Sequence, residues 1–533
     1  MGTTKPWLVN FHSTNGVLNK QMSAVHEKGK LNYQQKLNFT SHPGCFRGTQ
    51  LFITVNNDFE PEWLESLYEV GVTGVLISMS TFDRPFAESL LKKLQIQSQL
   101  YNKSRSHFCS KLIILEIDSS KICIGSLKNT KKKSLRLEAN QTTTLTVDEA
   151  YREHVTEDII FVDYEKLTIA VEPGDYVVFD KGMVVLIVKN VNEKTVECTV
   201  KRGGDIISND TILIPGAFIE LPELNKDLDL MASFLTEYSI DVVIMHGIQD
   251  KDTIMEIAEY LKKNKHESIY VLAAIDSLMG ITKMIEISAE ADGIYLDDNK
   301  LLSEVSKKKV FLAKKHILGN CLKSATPVLA GMRFQDTKTI TKAEMNDLAY
   351  TILEGIDGII LSPENSNLEM VINISKICVQ AEAAVHQKQL MEQWRCGQIY
   401  NALISVSLCI VQTAHRCGAA AIICIPLTGA TPISISYFRP KCPIITVCKQ
   451  KKLARHLKLF KCCDSILYRN KNQKKNNTID RKLEWGLTYA KFRGYIRGGD
   501  VVIIVRELPH DFSGPNCIQF YYVPKLKYVR TYE

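Results

Sequence analysis

The chain has 533 residues, of which 45% are hydrophobic and 23% charged, with a formal net charge of +7. That length can bury several cores and predicts about three or four domains. The positive excess sits in lysine clusters, "KNTKKK", "SKKK" and "NKNQKKNN", which lack interleaved aromatics and so read as solvated surface rather than a nucleic-acid patch.

Residues 1–42 are polar and aperiodic and are expected to form a loose extension. Met1-Gly2 is followed by Pro6 where myristoylation needs Ser or Thr, and no basic-then-apolar leader is present, so a cytoplasmic protein is expected. From 43 to 121 three apolar runs, Gln50 to Val55, Gly74 to Ser78 and Lys111 to Asp118, read as buried strands. From 122 to 222 the texture changes to alternating strands such as "TIAVEPGDYVVFD", "MVVLIVKNV" and "TVECTVK" separated by Gly, Asn and Asp turns, the pattern of an inserted β domain.

Strand and helix alternation returns over 223–385. Strands are expected at Asp241 to His246, Ile269 to Ala274, "ADGIYLDDNK", "TPVLAGM" and "GIDGIILSPEN", which with the first three make eight. Near-continuous Val, Ile and Leu are what parallel strands buried on both faces require. Between them, one helix aligns Val310, Ala313, Ile317 and Cys321, and the next Met345, Leu348, Ile352 and the closing Gly355. Residues 386–533 read as a final α/β domain with strands near Ala420 to Pro426, Pro443 to Val447, Ser465 to Tyr468 and Asp500 to Arg506. The longest apolar run, "CGAAAIICIPL", falls far short of the roughly 20 residues of a spanning helix and reads as a helix end entering a buried strand. The 15 cysteines are odd in number and form no CxxC pair, which favours reduced thiols over disulfides or zinc, with Cys462 and Cys463 packed in a core.

Seven separated blocks are more specific than this rhythm. "RGTQLFIT", "IFVDYEKL", "IPGAFIELP", "KVFLAKK", "TKAEMNDLAYTILEGIDGIILSPE", "YFRPKCPIITV" and "RGGDVVIIV", in that order from about Arg47 to the C-terminus, resemble the pyruvate kinase family. The resemblance implies an α/β fold: a TIM (β/α)8 barrel, an inserted β-barrel domain after strand three and a C-terminal α/β domain. It implies phosphoryl transfer from phosphoenolpyruvate to ADP, giving pyruvate and ATP in glycolysis, with Mg2+ and K+ as cofactors, a cytoplasmic location and a tetramer.

The resemblance also names positions at the strand ends, and this chain changes them. The family's lysine falls at Ala274, its metal-binding glutamate at Asp276, and the Ala-Arg-Gly-Asp run carrying its second metal carboxylate at Asp297-Asp298-Asn299-Lys300. Its threonine falls near Met332, its strand-four arginine at Gln249 with the preceding serine at His246, its strand-two arginine at Leu76, and the histidine beside the nucleotide at Thr81. A basic pair in the β domain becomes Asn209 and Asp210. The K+ positions keep oxygen donors, Ser78, Ser80, Asp118 and Ser119, although the turn that follows is shortened to "SKICIG" and loses its arginine. "PLTGATP" lies at the place of the effector-phosphate loop, where Thr428, Gly429 and Thr431 form a candidate anion nest ahead of Pro432.

An alanine neither donates a proton nor holds positive charge, and an ammonium repels the dication it replaces. The expected consequence is phosphotransfer much reduced or lost, with Mg2+ binding doubtful. His246 reads as filling a vacated pocket or as a new acid or base. Asp276, Asp297 and Asp298 read either as a relocated metal site or as partners of the Lys300 ammonium, and Lys121 as a substitute cation. Two functional classes follow: a working kinase with compensating residues, or a non-catalytic member that assembles as a homo-oligomer or with an active homologue.

Overall fold

The expected apolar runs form parallel strands in which at most one residue each escapes full burial. The computed structural model describes residues 27–40, 44, 46–55, 63–79, 84–117 except 105–110, 122–127, 134–179, 184–216, 224–297, 300–301, 305, 308–395, 401–468, 478–507, 515 and 517–524. The first strands are β1 (Gln50–Thr54), β2 (Gly74–Ser78) and β3 (Leu112–Ile117). The inserted domain contributes β4 (Ile122–Cys123), β5 (Leu135–Leu137), β6 (Thr142–Thr146), β7 (Ile159–Phe161), β8 (Tyr176–Phe179), β9 (Val184–Val191), β10 (Thr195–Arg202), β11 (Gly204–Ile206) and β12 (Thr211–Leu213). Then follow β13 (Val242–Met245), β14 (Tyr270–Ile275), β15 (Gly293–Asp297), β16 (Val328–Met332) and β17 (Gly358–Leu361).

Strands β1, β2, β3 and β13 to β17 close into one barrel in the order β1-β17-β16-β15-β14-β13-β3-β2. Two of the helices between them start where side chains supply caps. Asp250 accepts the Thr253 amide ahead of Lys251–Lys263, and Thr341 with Glu344 forms a capping box ahead of Lys342–Leu353. The helix Val310–Ser324 buries Val310, Ala313, Ile317 and Cys321 as expected. In the next helix Leu348 and Ile352 are buried but Met345 is 39% exposed, and Thr351 takes the third inward place. Residue 345 lies in the first turn, where the inward face is not yet covered.

The inserted strands form a seven-stranded sheet, β4-β12-β8-β9-β10-β6-β7, and a ribbon, β11-β5. The sheet curls until its edges meet: Ile124 bridges Val162, and the Asp163 amide donates to the Cys123 carbonyl at 3.0 Å. Its core is a cluster that includes Phe161, Phe179, Leu186, Val196 and Ile212. Half of one expected strand is different, since Leu167–Ala170 is a helical turn that buries Leu167, and the strand begins only after the Gly174 turn at φ 104°.

The C-terminal domain is a five-stranded sheet ordered β20-β19-β18-β21-β22, from β18 (Ala421–Ile425), β19 (Ile444–Cys448), β20 (Cys463–Leu467), β21 (Val501–Arg506) and β22 (Cys517–Tyr522). The helix Ala402–Cys417 ends at Gly418, φ 61°, and runs into β18 as the "CGAAAIICIPL" run suggested. The antiparallel β22 was not expected; it is an edge strand whose Ile518, Phe520 and Tyr522 are exposed. Cys462 and Cys463 are buried, and the twelve cysteines among the described residues are free thiols.

Residues 1–26 lie outside the described residues, but the segment 1–42 is not wholly loose. Lys30–Gln35 is helical, and Tyr33 is buried, stacked at 4.2 Å on His386 with its hydroxyl donating to the Val385 carbonyl. One aromatic side chain thus docks a segment whose sequence has no periodicity. Two compact units make up the chain. One carries β1, most of β2, β17 and the C-terminal sheet, and the other the inserted sheet with β13 to β16. In the first, Asp357 takes both terminal nitrogens of Arg439 and the Lys461 amide, and Gln50 donates to the carbonyls of Phe460 and Cys463 at 2.9 Å.

Candidate active site at the barrel mouth

Consecutive strands deliver polar groups to the C-terminal end of the second unit: Glu116 from β3, His246 just after β13, Asp276 just after β14, and Asp297 at the end of β15 with Lys300 beyond it. Buried parallel strands leave few places for charge, so these side chains turn to one another. His246 Nδ1 stands 2.9 Å from Asp276 Oδ2, and its Nε2 is 3.0 Å from Glu116 Oε1. Lys300 Nζ donates to Asp276 Oδ2 at 3.2 Å and lies 2.9 Å from His246 Nδ1. The Gly247 amide adds a weaker contact to Asp276 at 3.4 Å, and the Lys300 amide one to Asp297.

The ring is sealed in, with a side chain 1% exposed against 7% for Asp276, 15% for Glu116 and 20% for Lys300. Tyr295 of β15 meets it edge to face at 5.7 Å. The neutral tautomer protonated at Nε2 donates to Glu116 and accepts from Lys300, whereas an imidazolium donates to both carboxylates. Either way the four groups form one polar network, the arrangement that burying charge requires.

Other predicted positions carry no charge. Ala274 is fully buried in β14, Leu76 is buried in β2, and Met332 and Gln249 are 6% and 7% exposed. Ser78 is buried at the end of β2, while Ser80, Thr81, Asp118, Ser119, Lys121, Asp298 and Asn299 lie outside the described residues. Among the two readings of Lys300, the geometry brings it to Asp276 as an ion pair. Asn209 and Asp210 form a β-domain turn, with Asn209 at φ 58°. Sequence reasoning missed Glu116 and Tyr295. The signal for the first was available, a single carboxylate inside the otherwise apolar strand "LIILEI".

The donor set does not suit Mg2+. That ion needs near-octahedral oxygens at about 2.0–2.1 Å, whereas the inward oxygen of Asp276 is taken by an imidazole and an ammonium, and Glu116 by the same imidazole. Among the described residues no group of three or more His, Cys, Asp or Glu is arranged to hold a metal ion.

In the C-terminal domain, two amides of the loop ahead of the helix Ala430–Tyr437 are occupied. Glu507 Oε2 accepts from the amides of Leu427 at 2.6 Å and Thr428 at 3.2 Å. A Cβ on Gly429 would press on Leu453 at 3.0 Å, and Thr431 is fully buried. Of the three residues foreseen for an anion nest, Thr428 thus gives its amide to a carboxylate of the chain itself.

A closed parallel barrel that gathers charged side chains at the C-terminal ends of neighbouring strands, with a β domain spliced in after the third, defines the (β/α)8 enzyme class. Family models described as "Pyruvate kinase, barrel domain" and "Pyruvate kinase, alpha/beta domain" match residues 53–372 and 405–518. A human pyruvate kinase is 26% identical over 498 residues, covering 91% of this chain and 87% of the relative. One from Trypanoplasma borreli is 24% identical over 507 residues, covering 93% and 99%. The chain belongs to the pyruvate kinase family. Among the described residues no helix is long and apolar enough to cross a membrane.

Proposed function

We propose that this chain is a pyruvate kinase family protein in which phosphoryl transfer from phosphoenolpyruvate to ADP is much reduced or lost. The observation that carries this reading is the Lys300 Nζ to Asp276 Oδ2 contact of 3.2 Å beside a histidine that bonds the same oxygen. Phosphoryl transfer gives the protein little covalent work; it relies on cations held against the transferring group. Here the ammonium is spent on neutralising carboxylates of its own chain. Ala274, Gln249 and Leu76 supply no cation where the family has lysine and arginine, and Met332 has no hydroxyl for proton delivery.

Losing one electrostatic stabiliser typically costs about 10²–10³ in rate, and losses within a catalytic unit are not additive. What the residues present can still do is hold a proton on His246 between Glu116 and Asp276. That equips the mouth as a polar cluster, not as a phosphoryl clamp.

The test is ATP formation by the purified chain from phosphoenolpyruvate and ADP with Mg2+ and K+. The expected result is turnover far below ordinary kinases, and about 1–100 per second would overturn the reading. The paired variant Ala274→Lys/Lys300→Asp is expected to raise any Mg2+-dependent rate.

A further inference from the structure

The unit that carries the C-terminal sheet encloses a cavity of about 70 Å3, far from the barrel-mouth residues in sequence. Phe46, Val379, Val385 and Pro440 give it apolar walls, and its charged lining is Glu382, Arg439, Lys441 and Lys461. Three of these four are already matched. Glu382 accepts from the Gly48 amide at 2.8 Å and from the Thr49 amide and hydroxyl at 2.6 Å each. Lys461 Nζ donates to the Ile356 carbonyl at 3.0 Å and stands 4.0 Å from Glu382. Arg439 pairs through both terminal nitrogens with Asp357, although its buried Nε has no acceptor.

Lys441 is different. Among the described residues it has no hydrogen bond or ion pair, and burial alone pushes its pKa down to about 8. The neighbouring Cys462 thiol is pushed up to about 12 by burial and stays neutral. Arg439, Lys441 and Lys461, with Arg47 acting on Glu382 from behind, outnumber Glu382 and Asp357, so positive charge is in excess around a space too large to be a packing defect. Lys441 is half-buried, a charge drawn partly out of water without a partner is costly, and here a donor without an acceptor lies on the same wall.

We infer that this cavity binds a small monocarboxylate, whose oxygens are taken by Lys441 Nζ and Arg439 Nε–H and whose short alkyl part lies against Phe46, Val379 and Val385. A carboxylate matches the two donors that lack an acceptor among the described residues, Lys441 Nζ and Arg439 Nε. A phosphate dianion has no alkyl part for the apolar walls of Phe46, Val379 and Val385 to cover. Binding favours the ammonium form of Lys441, so it takes up a proton and weakens as pH rises above about 8. The other charged or titratable groups at the cavity are Glu382, Arg439 with Asp357, Lys461 and Cys462, with Arg47 and Cys378 packed behind Glu382.

The experiment is isothermal titration of propionate into the full chain at constant ionic strength and pH 8.5, where much of the Lys441 amine is neutral, in two buffers of different ionisation enthalpy, with inorganic phosphate as the comparison probe. Saturable propionate binding with proton uptake is expected, at least about tenfold weaker in Lys441→Met and Lys441→Gln, the loss of one charge-assisted hydrogen bond. Absence of saturable propionate binding by the unmodified chain overturns the inference without reference to any variant. So does equal affinity in the two variants, or phosphate binding more tightly than propionate.

Discussion

Replacing Lys300 by Met keeps the stem of the side chain and removes its ammonium. That group lies 3.2 Å from Asp276 Oδ2, between side chains 20% and 7% exposed. At an effective dielectric of about 20 the attraction at this distance is about 5 kcal/mol, most of it offset by taking both groups out of water. Abandoning a fully buried charge costs about 3–5 kcal/mol, and breaking an exposed pair about 0–1 kcal/mol. A partly open pair whose carboxylate keeps His246 at 2.9 Å belongs between them, at about 2 kcal/mol. Asp276→Asn in the same chain removes the stranded charge, so the double variant should lose less than the sum of the singles, with a coupling of about 1–2 kcal/mol. Native-state hydrogen exchange of the β14 and β15 amides is the suitable assay, because a chain of several domains does not unfold in two states. A coupling below about 0.3 kcal/mol, the scatter of independent sites, would refute the idea that this ion pair holds the mouth together.

Gly331→Ala would place a methyl group inside the Tyr295 phenol, so it should destabilise the barrel by about 1–3 kcal/mol, partly recovered by Tyr295→Phe in a denaturant titration. Burial pushes the Asp464 carboxyl up, but Lys458 at 3.5 Å, Arg493 at 4.0 Å and the Tyr489 hydroxyl at 2.9 Å outweigh it and hold it below the usual value. Its stabilisation is therefore present above about pH 3.9 and fades as pH falls through the lower folded value. Asp464→Asn should cost about 2 kcal/mol at neutral pH and flatten that acid limb in a melting series. Glu507→Ala frees the Leu427 and Thr428 amides; a sugar bisphosphate should then raise the melting temperature of the variant more than that of the parent chain, and equal shifts would show that these amides do not receive phosphate.

The eight barrel strands and the spliced β domain were legible in the sequence because burial on two faces demands unbroken apolar runs, while a one-sided sheet demands alternation; Gly74–Ser78 even kept its bounds. Local chemistry also showed that Ala274, Gln249 and Met332 carry no charge, since an alkyl or amide side chain has none whatever surrounds it. Pairings across strands were decided only by the tertiary structure. Glu116 and His246 are 130 positions apart, Glu507 reaches a loop 79 positions earlier, and nothing in local spacing encodes such meetings. Tyr33 docking on His386 and the placing of Lys441 beside a cavity are of the same kind. A residue's chemistry is written in its own side chain, but its charge balance is set by neighbours that only the folded chain brings within a few ångströms.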